Sequence, residues 1–367
     1  MQRRCTIIRT ALVLFVSAQL LQLSLAATAT ATAAATASDD VDGVSFVTVS
    51  TPSGTYRGIS RNNYNAFLGI RYAQPPLGSL RWSAPVAMPA SSGVVNATEF
   101  GSSCMQPSSE RPYTSEDCLF LNVWAPPSCA TRPTPCSVLV HIHGGGWVTG
   151  AGSDAMYWGD FFANTTDTIV VTFNYRLGAL GFLVLPADAD TLVGNFGFLD
   201  QRMALQWVSR NIPSFGGGGA VTLQGQSAGG ISVATHLTAP KSFGLFQQVA
   251  VLSNPTAIAL RPIENCTHFS NAFARHLGCD LSDRTCLEAK NASEILAAQM
   301  LVRPDILPPF PLDNSMISPW MIVVDHVNVL DSPSRLVQLK MVREYCLVRF
   351  DSMLIRYWFD SMLIRFD

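Results

Sequence analysis

The sequence predicts a doubly wound α/β domain, on three observations. The first is a set of short, β-branched apolar runs bounded by turn residues: residues 137–143 (SVLVHIH), 168–174 (TIVVTFN), 220–225 (AVTLQG) and 247–253 (QQVAVLS). Runs of that kind are expected of strands buried on both faces of a parallel sheet. The second is a helical pattern between the second and third runs. Leu199, Met203 and Trp207 recur four apart, with Ala204 and Val208 beside them, which gives one apolar face able to cover a sheet. That helix is expected to end before Pro213 and the glycine run at 216–219. The third is the alternation itself, since strands alternating with helices imply right-handed crossovers and helices on both faces of the sheet.

The chain has 367 residues, of which 48% are hydrophobic and 14% charged, the composition of a globular domain. A formal net charge of −2 and the absence of a long basic run leave no electrostatic footprint for nucleic acid, so none is expected as a partner. Arg3, Arg4 and Arg9, the apolar run from Ala11 to Leu25, and then Ala26 and Ala27 follow the order of a signal peptide, placed over residues 1–26. The run is shorter than the roughly 20 residues that cross a bilayer, so no stable membrane span is expected. Residues 27–42 read as an Ala/Thr-rich leader. The expected location is therefore secreted or extracellular.

Nine cysteines include Cys5 in the signal segment, which leaves an even set of eight, and an exported chain is expected to pair them. Cys129 and Cys136 are close enough in sequence to form a local pair. No Cys/His spacing resembles a zinc site, and neither a metal nor a cofactor is expected. Four N-glycosylation sequons, at Asn96, Asn164, Asn265 and Asn291, agree with secretion.

The chemistry is concentrated in two glycine-rich segments. Gly225-Gln-Ser-Ala-Gly229 follows a predicted strand and precedes a segment able to start a helix. In that context GxSxG is a nucleophile elbow: the turn forces Ser227 into a strained backbone conformation, and its hydroxyl projects above the sheet. An attacked ester carbonyl becomes an oxyanion, which needs backbone N–H donors already in place. His143-Gly-Gly-Gly146 follows the first strand and offers them, so Gly145, Gly146 and Ala228 are the expected donors. A phosphate-binding loop is the rival reading of these glycines, but the Lys-Ser/Thr pair it requires does not follow them.

With these segments the chain resembles the type-B carboxylesterase/lipase family, which includes cholinesterases and bile-salt-activated lipases. The matching runs are residues 67–76 (FLGIRYAQPP), Arg81-Trp82, 116–124 (EDCLFLNVW), 141–147 (HIHGGGW), 174–178 (NYRLG), Gly194-Asn195, Asp200-Gln201 and 215–230. The resemblance covers roughly residues 45–335 and implies the α/β-hydrolase fold, with Ser227 as nucleophile. It also implies disulfides between Cys104 and Cys118 and between Cys279 and Cys286. The expected reaction is hydrolysis of a small-molecule or lipid carboxylic ester through an acyl-enzyme.

The family pattern breaks in three places. A serine hydrolase needs a base and a carboxylate that orients it. Residues 323–336 resemble the segment that the family places shortly before its triad acid, and the acid and the later histidine are expected to be missing from this chain. His236 lies nine residues beyond Ser227, about 13 Å of helical rise, and is out of reach as a base. His141 and His143 border the glycine loop and are expected to fix it or fill space, and neither Asp325 nor Glu344 has the context of the acid. Second, Gln226 stands where many relatives have Glu. Third, no Trp lies between Cys104 and Cys118, so cation-π recognition of a quaternary ammonium is not expected.

The domain is therefore placed at residues 43–338, incomplete at its C-terminal end. Residues 339–367 read as an atypical tail in which FDSMLIR occurs at 350–356 and again at 359–365. The two repeats carry two acids and two bases, which argues against a membrane-surface helix there, and a non-native tail is the expectation. The chain as written is expected to be poorly soluble and inactive. The competing class is a catalytically inactive, cholinesterase-like adhesion or binding protein, which retention of Ser227 with the glycine loop argues against.

Overall fold

The computed structural model describes residues 45–107, 113–188, 191–253, 259–303, 318–339 and 346–349. The expected signal peptide, the leader and both copies of the tail repeat lie outside the described residues. Strands run in chain order as β1 (Phe46–Thr51), β2 (Gly54–Ser60), β3 (Asn65–Arg71), β4 (Val94–Asn96), β5 (Ser103–Cys104), β6 (Thr114–Ser115), β7 (Phe120–Ala125), β8 (Cys136–Ile142), β9 (Thr168–Phe173), β10 (Leu185–Pro186), β11 (Leu192–Val193), β12 (Gly217–Gln226), β13 (Gln248–Leu252) and β14 (Cys346–Arg349). Ten of them form one sheet in the order β1-β2-β3-β7-β9-β8-β12-β13-β14, with β4 paired to β2.

The sheet changes character along its width. Along that order the pairs from β1 to β9 are antiparallel, β4 lies parallel to β2, and β9-β8, β8-β12, β12-β13 and β13-β14 are parallel. Short links suit the antiparallel part: only Pro52 and Ser53 separate β1 from β2, and the positive φ of Gly54 (139°) closes that turn. Parallel neighbours need long crossovers, which three helices supply: Asp160–Thr165 between β8 and β9, Phe196–Asn211 between β9 and β12, and Ala228–Thr238 between β12 and β13. All of β9 beyond its first residue is buried, as expected of a strand covered on both faces.

The four strands anticipated from apolar runs are β8, β9, β12 and β13, each within three residues of its expected ends. The anticipated helix is Phe196–Asn211, which buries Leu199, Ala204, Trp207 and Val208. Its α-helical part stops at Asn211, and a 3-10 turn over Ile212–Phe215 carries Pro213 before Gly216 ends the run at φ 82°.

Charged residues of the matching runs form buried ties between elements. Arg176 and Asp200 are 3% and 0% exposed and pair through Nε–Oδ2 and Nη2–Oδ1, both 2.7 Å. Arg81 grips Glu116 through Nε (2.7 Å) and Nη2 (2.6 Å), and its Nη1 donates to the carbonyls of Glu288 and Lys290. These are bidentate contacts that only a planar guanidinium makes. Cys104–Cys118, Cys129–Cys136 and Cys279–Cys286 are disulfides with Cα–Cα separations of 4.9, 5.6 and 5.8 Å. Both pairings implied by the family resemblance and the one drawn from proximity are present. Among the described residues no helix is long and apolar enough to cross a membrane.

Candidate active site

Ser227 sits where β12 passes into the Ala228–Thr238 helix, at φ 56° and ψ −121°. A non-glycine residue in that region carries strain of order 1–3 kcal/mol and persists only where its surroundings over-determine it. Here they do. The Ser227 N–H donates to Leu252 O of β13 (3.0 Å), and its carbonyl accepts the N–H of Ile231 (2.9 Å). The two flanking glycines make the turn possible by close packing. A Cβ on Gly225 would lie 2.5 Å from the carbonyl carbon of Gly229, and one on Gly229 would lie 2.8 Å from His143 O at the end of β8. The elbow is thus pressed against the strand that delivers the glycine loop.

That loop lies beside the serine. A Cβ on Gly144 would come within 2.7 Å of Gln226 O and 3.4 Å of Ser227 Cβ. Gly145, Gly146 and Trp147 follow with φ of 104°, 62° and 59°, three consecutive residues in left-handed backbone. Among the described residues no backbone carbonyl outside regular elements accepts the N–H of Gly145 or Gly146, whereas the Gly145 carbonyl accepts from Val148 and Thr149. Ala228 opens its helix, so its N–H has no partner within the helix and points toward the positive end of the dipole. Ser227 itself is half-buried and open to solvent. Gly144, the first glycine of the loop, and Ser227 therefore meet at the carboxyl ends of β8 and β12, where open α/β sheets bind their ligands.

The histidines are placed elsewhere. Among the described residues none hydrogen-bonds the Ser227 hydroxyl. His143 stacks on Tyr175 with ring centroids 4.3 Å apart, its Nδ1 contacts Gly144 O (2.9 Å), and the Tyr175 hydroxyl donates to His143 O (3.0 Å). It fixes the loop, as the sequence suggests. His141 packs against Tyr157, and His236 lies between Ser242, in the turn after its helix, and Gln201 of the Phe196–Asn211 helix. His326 is at the surface against Leu330 O. Asp325 is committed too: its Oδ1 accepts the N–H groups of Val327, Asn328 and Val329, and its Oδ2 accepts from Asn195 and Asn328. Burial pushes its pKa up, but these donors outweigh burial and hold it below the usual carboxylate value.

Burial lowers the pKa of both His141 and His236 to about 3. An unfolded histidine titrates near 6.5, so between about pH 6.5 and 3 the unfolded chain binds protons that the folded chain does not. The stability these neutral histidines contribute is complete above pH 6.5 and lost as pH falls. From pH 7 to pH 5 the expected loss is about 2 kcal/mol for each histidine. Urea midpoints at the two pH values check this, and the His236→Gln variant should show roughly half the pH dependence.

An open, mainly parallel sheet with crossover helices and a strained serine after a central strand defines a protein of the α/β-hydrolase fold. The sequence profile of the carboxylesterase family matches residues 45–348, and the chain belongs to that family. Cholinesterase of Mus musculus is 37% identical over 320 residues, which cover 81% of this chain and 51% of the relative. Para-nitrobenzyl esterase of Bacillus subtilis is 40% identical over 258 residues, covering 68% and 52%. In structure, a PNB esterase superposes with a TM-score of 0.73 at 35% identity over 82% of this chain and 62% of its own. A Geobacillus stearothermophilus carboxylesterase gives 0.72 at 34% identity, over 82% and 60%. The chain spans about half the length of the curated relatives it matches.

Proposed function

We propose that the chain carries the nucleophile and oxyanion half of a carboxylic ester hydrolase. The observation that supports this best is the strained Ser227 at the end of β12 with the Gly144–Gly146 loop beside it. Ser227 Oγ attacks the ester carbonyl, and the N–H groups of Gly145, Gly146 and Ala228 stabilise the tetrahedral oxyanion. Collapse breaks the C–O bond to the alcohol, which leaves with the proton given up by the Ser227 hydroxyl, and an acyl-serine remains for water to hydrolyse. The reaction needs a base and a carboxylate that orients it, and among the described residues no histidine hydrogen-bonds the Ser227 hydroxyl. Small, neutral carboxylic esters or lipid esters are the proposed substrates: Gln226, exposed next to the serine, brings no charge to the site. No cofactor enters this chemistry.

The test is acylation of the purified chain by p-nitrophenyl acetate, followed by intact-mass and peptide mass spectrometry. The expected result is one acetyl adduct on the Ser227 peptide, absent in Ser227→Ala. With no base among the described residues at the serine, turnover should be several orders of magnitude below that of a complete triad, and the adduct should accumulate. An adduct elsewhere, or one that survives Ser227→Ala, overturns the proposal.

One observation favours a second reading, a catalytically inactive binding or adhesion protein: among the described residues no side chain engages the Ser227 hydroxyl. The same experiment separates the two, because a binding protein gives no adduct at Ser227. The sequons at Asn96, Asn164, Asn265 and Asn291 all lie on exposed residues, which supports our further proposal of a secreted glycoprotein. A mass decrease on enzymatic removal of N-glycans from protein expressed in a secreting eukaryotic cell would test it.

A further inference from the structure

Behind the site runs a chain of buried hydrogen bonds that the proposed chemistry does not use. The Trp147 indole Nε1–H donates to Ser232 Oγ (3.1 Å), and Gln201 Nε2 donates to the same oxygen (3.2 Å). Ser232 in turn donates its own proton to Ala228 O (2.9 Å). One hydroxyl thus uses its single donor and both acceptor lone pairs. Trp147, Gln201 and Ser232 are all 0% exposed. The arrangement is directional. His236 Nε2 contacts Gln201 Oε1 (3.2 Å) and its Nδ1 contacts Ser242 Oγ (2.8 Å). An amide oxygen only accepts, so the His236 proton sits on Nε2, which holds the Gln201 amide with its nitrogen toward Ser232.

The positions joined are the ones that matter for an oxyanion. Trp147 directly follows Gly145 and Gly146 and sits at φ 59°, a conformation that an aromatic residue keeps only when it is held. Its carbonyl is held as well, by the N–H of Gly178 (2.7 Å). Ala228, at the other end of the Ser232 bridge, supplies the third donor. Two of the donors come from the loop after β8 and one from the helix after β12, so their spacing depends on what ties loop to helix.

We propose that Ser232 is a positioning residue that clamps the Gly145–Gly146 loop to the first turn of the nucleophile helix through Trp147, setting the spacing of the oxyanion donors. The proposal rests on the reading of Gly145, Gly146 and Ala228 as an oxyanion hole. n-Butylboronic acid tests it without a general base: the Ser227 Oγ–B bond forms, the hydroxyl proton passes to buffer, and the tetrahedral boronate places negative oxygen among the donors.

Calorimetric titration of the full chain should give about a tenfold weaker dissociation constant for Ser232→Ala, the scale of coupling among residues in one hydrogen-bonded network. Trp147→Phe, which keeps a ring and removes only the donor side, should give the same loss, and the double variant no more than either single one. Thr235→Ala removes a buried hydroxyl from the same helix that bonds only Ile231 O, and should bind as wild type does. Losses that add in the double variant overturn the clamp, as does Ser232→Ala binding within twofold of wild type while Ser227→Ala binds nothing. If wild type and Ser227→Ala bind alike, the oxyanion-hole reading falls first and takes the clamp with it.

Discussion

Asp200→Ala is expected to destabilise the chain by about 3–5 kcal/mol, enough to unfold a domain of ordinary stability. The carboxylate is fully buried and accepts from Arg176 Nε, Arg176 Nη2 and the Arg176 backbone N–H. Removing it strands a guanidinium that is 3% exposed, and the remaining contacts of Arg176 with the carbonyls of Ser83 and Phe196 do not neutralise the charge. Most of the cost is the uncompensated buried cation rather than the lost attraction. Replacing both partners, as Arg176→Met with Asp200→Leu, should therefore recover a large part of the loss. Urea unfolding followed by tryptophan fluorescence measures both variants. A loss below about 1 kcal/mol for Asp200→Ala would mean that the pair is solvated, as surface pairs are.

Gly229→Ala should remove boronate binding and acylation at Ser227, and should destabilise the fold by about 1–3 kcal/mol or more, the range for forced overpacking. The new methyl group would lie 2.8 Å from His143 O and 3.0 Å from the Ile142 carbonyl carbon. Both are backbone atoms at the end of β8, and no side chain can swing aside to make room. The helix must move away from the glycine loop, which separates Ala228 from Gly145 and Gly146. Gly244→Ala is the control: φ there is 87°, with nothing within 4 Å of an added Cβ. It should cost about 1 kcal/mol of backbone strain and leave boronate affinity unchanged. Equal effects of the two substitutions on affinity would show that close packing at the elbow does not hold the site together.

Much of this architecture was legible in the sequence because the relevant signals are local. The runs that became β8, β9, β12 and β13 are rich in β-branched apolar residues, and β8 and β9 are mostly buried, so such strands have few polar positions and stand out in the sequence. The antiparallel strands β1 and β2, and β4, which pairs parallel with β2, are partly buried and mixed in composition, and the apolar-run reading did not mark them. Ser227 was found because the turn requires glycine on both sides, and that requirement is written in five consecutive letters. The bridge from Trp147 through Ser232 to Gln201 was not, since it joins positions 85 and 31 residues apart that only packing brings together. A serine inside a helix carries no sign of what its hydroxyl meets.

The sequence by itself determined the α/β order of elements, the serine on its elbow, the glycine loop and the family, because each depends on residue types at fixed short spacings. Tertiary structure alone decided three further matters. It brought the Gly144–Gly146 loop against Ser227, it turned His141, His143 and His236 away from that serine into buried roles, and it made Arg176 and Asp200 into one unit. Those outcomes depend on distances across the sheet, and such distances exist only once β8, β12 and the helices between them have packed.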